Sequence, residues 1–171
     1  MPWPEDFLLI GGIPFEAVEK HYYPHYSALL YDVFPPGSPF MVSPSGPTNV
    51  RWHSDFSIQV AHHVFLTPLV VEIKPATHFD TISAREYADW QMRQRLTSLM
   101  SAPIHLPTVY GLSFLGRRVC FYRLEEGGEV IPFSIPRDPD IVNDVAPQQG
   151  WRMDILEQDT EDQIRDLVIT I

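Results

Sequence analysis

Asp55, Glu72 and Lys74 carry the chemistry this chain is best equipped to perform. A chain that turns back near His63 and Val64 sets Asp55 opposite Glu72 across an antiparallel pair. Lys74 lies two residues beyond Glu72 and shares its face of the strand, while Val71 and Ile73 point into the opposite layer. Two neighbouring carboxylates are hard oxygen ligands suited to Mg²⁺ or Mn²⁺, an ion that polarises a phosphoryl oxygen and acidifies water. An ammonium beside them offsets charge that grows on phosphorus during attack. The expected chemistry is phosphodiester hydrolysis at Asp55, Glu72 and Lys74. The plainer alternative makes Glu72 and Lys74 a strand-end ion pair and Asp55 a turn acid, an arrangement worth little in stability. Against it, Glu72 follows Leu69, Val70 and Val71 on a run that reads as buried, where a lone carboxylate is costly.

The elements that position these residues are marked out by proline. The chain has 17 prolines, but the stretches 48–67, 76–102, 108–131 and 148–171 contain none, and regular structure is expected there. In residues 56–60 Phe, Ile and Val alternate with Ser and Gln, the pattern of a half-buried strand, and residues 69–73 read as a central strand covered on both faces. Residues 84–100 form an amphipathic helix whose broad face carries Ala84, Tyr87, Ala88, Gln91, Met92, Arg95, Leu96 and Leu99. Ser83 with Glu86 three residues later is the capping-box pattern at its start. A second hairpin turns around Leu115, Gly116 and Arg117, and residues 158–168 make a terminal helix with acids in its first turn. Residues 15–34 are helical in spacing, and Pro24 divides them into two pieces. The proline-rich stretch 35–47 reads as a connecting loop. The order predicts an α/β (α+β) fold with helices on both faces of a central sheet.

The chain has 171 residues, 44% of them hydrophobic, which is enough for one domain with a real core and excludes wholesale disorder. We expect a single domain over 1–171, with a core at about 15–125 and a C-terminal extension over 126–171. The single Cys120 makes no internal disulfide, and no Cys/His array has the spacing of a zinc finger. With an amino terminus that reads poorly as a secretory signal, this places the protein inside the cell, in cytoplasm or nucleus. No apolar run reaches the ~18 residues needed to span a bilayer, so no membrane association is expected. Lys and Arg number 12 against 22 Asp and Glu, a net charge of -10, which opposes a broad grip on duplex phosphates. The apolar ending Val168, Ile169, Thr170 and Ile171 reads as the edge of a domain cut from a larger protein or as a surface that a homodimer would hide.

Asp55, the step of 17 residues to Glu72, and Glu72-Ile73-Lys74 at the end of a buried strand followed by a helix resemble the PD-(D/E)XK phosphodiesterase superfamily, the restriction-endonuclease-like nucleases. The resemblance covers about residues 15–125 and implies an αβββαβ core around a mixed sheet. It further implies Asp55 and Glu72 as metal ligands, the Ile73 carbonyl as another, and Lys74 as the catalytic lysine. Gln91 sits where several exonuclease-like members keep a glutamine, with Arg95 beside it to position substrate. An acid on the first helix, Glu16 or Glu19, stands where some members add a ligand. Ser54 departs from the motif, in which a proline precedes the first acid. The stretches AREYADWQMRQR, YGLSFLGRRVCFY and VNDVAP are also similar to a group of fungal proteins of this type. The resemblance implies a Mg²⁺- or Mn²⁺-dependent nuclease; the alternative is a nuclease-fold module that has lost turnover and binds a protein or nucleic-acid partner.

Other candidates weigh less. His21 and His25 are four residues apart, but Pro24 lies between them and no third zinc ligand is evident. His53 is the histidine nearest the site in sequence, whereas His62 and His63 cap the hairpin turn. Arg85, Arg93 and Arg95 with Trp90 form either a nucleic-acid contact strip or, for Arg85, Asp89 and Arg93, a ladder on a solvated face, the simpler reading. Arg117 and Arg118 stand in a turn, where they touch a phosphate or are merely solvated. Cys120 is a small core residue. No P-loop, G-x-G-x-x-G or G-x-S-x-G is present.

Overall fold

The computed structural model describes residues 3–44, 55–60 and 66–171. Among these residues six strands form one mixed sheet in sequence order: β1 (Phe40–Pro44), β2 (Phe56–Val60), β3 (Leu69–Lys74), β4 (Thr108–Leu115), β5 (Arg118–Glu125) and β6 (Met153–Asp154). All neighbours are antiparallel except β3 and β4, which run parallel. A parallel step needs a crossover, and the helix α3 (Ile82–Met100) supplies it. The other helices are α1 (Glu5–Leu8), α2 (Tyr23–Val33) and α4 (Gln158–Thr170). The protein is therefore a mixed α/β fold, and no helix among the described residues is long and apolar enough to cross a membrane.

Side-chain alternation on the strands feeds two cores. Leu69, Val71 and Ile73 of β3 and Leu112 and Phe114 of β4 join Phe7, Tyr26, Leu29 and Ile164 of α1, α2 and α4 on one face. Val70 of β3 and Val109 and Leu115 of β4 join Ala88, Met92 and Leu96 of α3 on the other. Every residue of β3 from Leu69 to Ile73 is buried, as its unbroken apolar run requires. The crossover helix lies close on β4 because Gly111 has no side chain. A Cβ there would overlap Met92 Sδ. The β4–β5 turn uses Gly116 at φ 61, the glycine that a two-residue turn of this kind demands at its first position.

Several expectations change. The stretch 35–47 is not all loop, because Phe40–Pro44 pairs with β2 as an edge strand. Proline is tolerated there because an edge strand leaves half its donors unpaired. Pro24 does not kink a helix; it sits in the first turn of α2, where a missing N–H costs nothing, and Glu19–His21 forms a separate 3-10 turn before it. α3 begins at Ile82 with Thr81 as N-cap, so Ser83 lies inside the helix and makes no capping box. Glu86 instead pairs with Arg137 at 2.9 Å. On α3, Ala88, Met92 and Leu96 of the predicted face are buried, but Tyr87 of that face is exposed and Arg85, expected in solvent, is buried. Arg85 donates to the Ala146 carbonyl at 2.8 Å and the Phe79 carbonyl at 2.6 Å and pairs with Asp144, so it docks the chain's irregular segment rather than facing water. Cys120 is buried in β5, and burial pushes its thiol up to about 12. At the end of the chain Val168 and Ile171 pack against the core while Ile169 projects outward.

Candidate functional site

β2 and β3 pair with Phe56 opposite Val71, which continued by one residue sets Asp55 across from Glu72. The Asp55 N–H donates to the Val71 carbonyl at 3.0 Å, so the residue is held at the mouth of the ladder. Glu72 alternates with Val71 and Ile73 and faces α3 together with Val70. In the parallel register it lies beside Ser113 of β4, whose Oγ accepts the Trp151 indole N–H at 3.3 Å.

Glu72 is only 1% exposed, and neither of its carboxylate oxygens has a hydrogen-bond partner among the described residues. Burial pushes its carboxyl up to about 8; the Lys74 ammonium opposes this, the Asp55 carboxylate adds to it, and the Arg95 guanidinium opposes it. Such a group is at odds with the usual rule that buried polar atoms are paired. Asp55 differs in its surroundings. Its Oδ1 accepts the Tyr23 hydroxyl at 2.8 Å and its Oδ2 accepts the Ile73 N–H. Burial still raises its carboxyl, against the pull of Lys74 and of those two donors.

A third acid joins from the turn before α2. Glu19 accepts a hydrogen bond from the Tyr23 hydroxyl and pairs with Lys74, Oε2 to Nζ, at 3.5 Å. One phenol thus touches both Glu19 and Asp55. It has one proton to give, so only one of the two contacts is a donation by Tyr23 at any moment. Burial, followed by its bonds to the two acids, holds the phenol well above its ordinary range, and it keeps that proton. Sequence reasoning missed Tyr23, although its spacing of four from Glu19 was the available signal. It also missed His78 in the 3-10 turn that follows β3. Burial and then the Lys74 ammonium hold His78 below its usual value.

α3 closes the site from above. Arg95 is coupled to Glu72, its charge held down by burial and up by that carboxylate, and the Gln91 Oε1 is shielded from solvent on the same flank. Asp89 and Arg93 point the other way, toward β5: Arg93 Nε donates to Asp89 at 2.7 Å and Tyr122 Oη donates to Asp89 at 3.0 Å. A cavity of about 370 Å³ reaches Asp55 between Tyr23, Pro24, Ser27, Pro44 and Phe56.

The structure therefore brings Asp55, Glu72, Lys74 and Glu19 to one end of β3, with Arg95 of α3 in electrostatic reach of Glu72. Glu16, the other acid considered, is exposed. His53, Ser54, His62 and His63 lie outside the described residues. His25 contacts the Asp6 carbonyl through Nδ1 at 2.8 Å, and no group of three or more His, Cys, Asp or Glu among the described residues is drawn together as a metal cluster. Arg117 pairs with Asp154 at 3.2 Å, and Arg118 donates to the Arg152 carbonyl at 3.0 Å while lying over Phe79. No protein-family model, curated protein or solved structure matches the chain.

Proposed function

We propose that this protein is a Mg²⁺- or Mn²⁺-dependent nuclease that hydrolyses phosphodiester bonds of DNA or RNA, acting in the cytoplasm or nucleus. The observation that carries the reading is Glu72, a buried carboxylate with no hydrogen-bond donor on either oxygen among the described residues. A structural acid in that position would be expected to have partners, whereas a ligand for a hard cation needs its lone pairs. The candidate ligands suit such an ion by their chemistry, since Glu72, Asp55, Glu19 and the Ile73 carbonyl all offer oxygen, although among the described residues no three acids stand as a ready metal cluster. A metal ion bound by them would supply Lewis-acid polarisation of the phosphoryl oxygen.

The remaining work belongs to the chain itself. Lys74 brings positive charge to the end of β3, where it offsets charge developing on the phosphoryl group. Its pairing with Glu19 fixes its direction. Tyr23 is a positioning residue, because one hydroxyl links Glu19 and Asp55. Gln91 and Arg95 would orient the strand being cut. The run α2, β1, β2, β3, α3, β4 is the αβββαβ order that the superfamily resemblance implies, which supports the same reading.

A second reading, an inactive module that binds a protein or nucleic-acid partner, is favoured by the net charge of -10 and by a lysine already paired with an acid. The two separate in one experiment. Wild type, Glu72→Gln and Lys74→Ala are incubated with single-stranded DNA, duplex DNA and RNA in Mn²⁺, Mg²⁺ or EDTA, alongside calorimetric titration of each metal. The nuclease predicts cleavage that needs metal and fails in both variants, and metal binding that is lost in Glu72→Gln. No cleavage and no metal binding by the folded wild type leaves the binding module.

A further inference from the structure

The flank of α3 beyond Gln91 carries two exposed aromatic rings. Tyr87 and Trp90 are 53% and 40% exposed, with ring centroids 5.7 Å apart and planes tilted by 35°. Tyr87, Gln91 and Arg95 follow one another at four-residue spacing, so one ridge of the helix runs from the rings to the residue coupled with Glu72. The exposed Gln94 and Ser98 continue the same flank with neutral hydrogen-bonding groups. The two acids of α3 are both engaged elsewhere, Glu86 by Arg137 and Asp89 by Arg93. Glu86, one turn before Trp90, is thus held by an arginine, and Gln91, Gln94 and Ser98 add no charge to the flank.

The net charge of -10 opposes a phosphate backbone, whereas on this flank the acid next to the rings is already paired. A duplex keeps its base faces stacked inside the helix and has nothing to offer two tilted rings. Unpaired bases do, because every base presents a face to stack and stacking tolerates any sequence. Amide side chains beside the rings suit base edges and sugar hydroxyls. We infer that Tyr87 and Trp90 form a stacking platform for unpaired bases, which makes the substrate of the Glu72 site single-stranded nucleic acid. This inference rests on the nuclease reading above for what happens at Glu72, but the platform is tested by binding alone.

The experiment measures fluorescence anisotropy of a labelled oligothymidine, an oligouridine of equal length and a duplex of that length, all in EDTA so that nothing is cut. The proteins are wild type, Tyr87→Ala/Trp90→Ala and Trp90→Phe, with cleavage in Mn²⁺ measured in parallel. The platform predicts tighter binding of single strands than of duplex. It also predicts a loss of roughly tenfold or more in the double alanine variant, with most of the affinity kept by Trp90→Phe, which retains a ring. Stronger binding of one homopolymer identifies DNA or RNA as the substrate. Equal binding of single strand and duplex, or no effect of the double variant, overturns the platform even if metal-dependent cleavage is seen, in which case the nuclease reading stands. Ring-dependent binding without cleavage supports the platform and removes the nuclease reading in favour of a binding module. Absence of both binding and cleavage overturns both, and a protein partner captured through Tyr87 and Trp90 without nucleic-acid binding overturns the platform.

Discussion

Replacing Glu72 by glutamine keeps the shape of the side chain and removes its charge, and the structure determines how stability should respond. In the unfolded chain the carboxyl titrates near 4.5, and in the folded protein burial pushes it up to about 8. The folded state then holds the proton more tightly than the unfolded state, so the unfolding free energy falls as pH rises between those values. The stabilisation is whole below about pH 4.5 and is gone once pH has passed about 8. The difference corresponds to a ceiling on the order of 5 kcal/mol for ionised Glu72, since each pH unit is worth about 1.4 kcal/mol. The amide in Glu72→Gln itself buries polar atoms in that unpaired position, at a cost of about 1–3 kcal/mol. At pH about 8.5 the variant should therefore be more stable than wild type by roughly 2 kcal/mol or more, and at about pH 5 it should be equal or less stable. Urea unfolding of both proteins in EDTA at several pH values measures this directly. His78 is held below its ordinary value, so its contribution runs the other way and is lost as pH falls. It is present in both proteins and cancels in the difference. Parallel stability profiles for wild type and Glu72→Gln would refute the reasoning, because they would mean that Glu72 ionises as freely folded as unfolded.

Three further outcomes are expected. Tyr23→Phe removes the hydroxyl that links Glu19 and Asp55, so stability should change by about 1 kcal/mol while metal affinity and any cleavage fall, read by urea unfolding and metal titration. Gly111→Ala drives a methyl into Met92 and should destabilise the protein by about 1–3 kcal/mol, with the loss relieved when Met92 is shortened in the same chain. Arg85→Ala strands Asp144 and the carbonyls of Ala146 and Phe79; a loss of about 3 kcal/mol with faster hydrogen exchange over residues 143–147 is expected. An unchanged unfolding midpoint in either of the last two would show that the neighbouring segment adjusts without strain.

Local pattern was enough for the β2–β3 pair. The alternation of Phe56, Ser57 and Ile58 against the apolar run from Leu69 gave strand type, and the turn position gave a register that placed Asp55 opposite Glu72 and Lys74 on the same face as Glu72. These are short-range facts, because a strand's faces follow from a period of two and a hairpin's register from its turn. The second hairpin, the crossover helix and the mixed α/β class were legible for the same reason. Edge strand β1 was hidden, since its prolines argue for a loop unless the neighbouring strand is known.

What the sequence left open was settled by contacts between residues far apart along the chain. Arg85 looked like a solvated arginine in its own helix and is buried because a carbonyl and a carboxylate some 60 residues downstream satisfy it, with the nearby Phe79 carbonyl. The start of α3 followed from no capping box, because Glu86 is taken by Arg137. Tyr23 could not be read as part of the site until α2 was laid across the sheet beside Asp55. Sequence alone thus determined which side chains share a strand face, through backbone periodicity. Tertiary structure decided which of them lose water and find partners, because desolvation and hydrogen bonding depend on groups that only folding brings near.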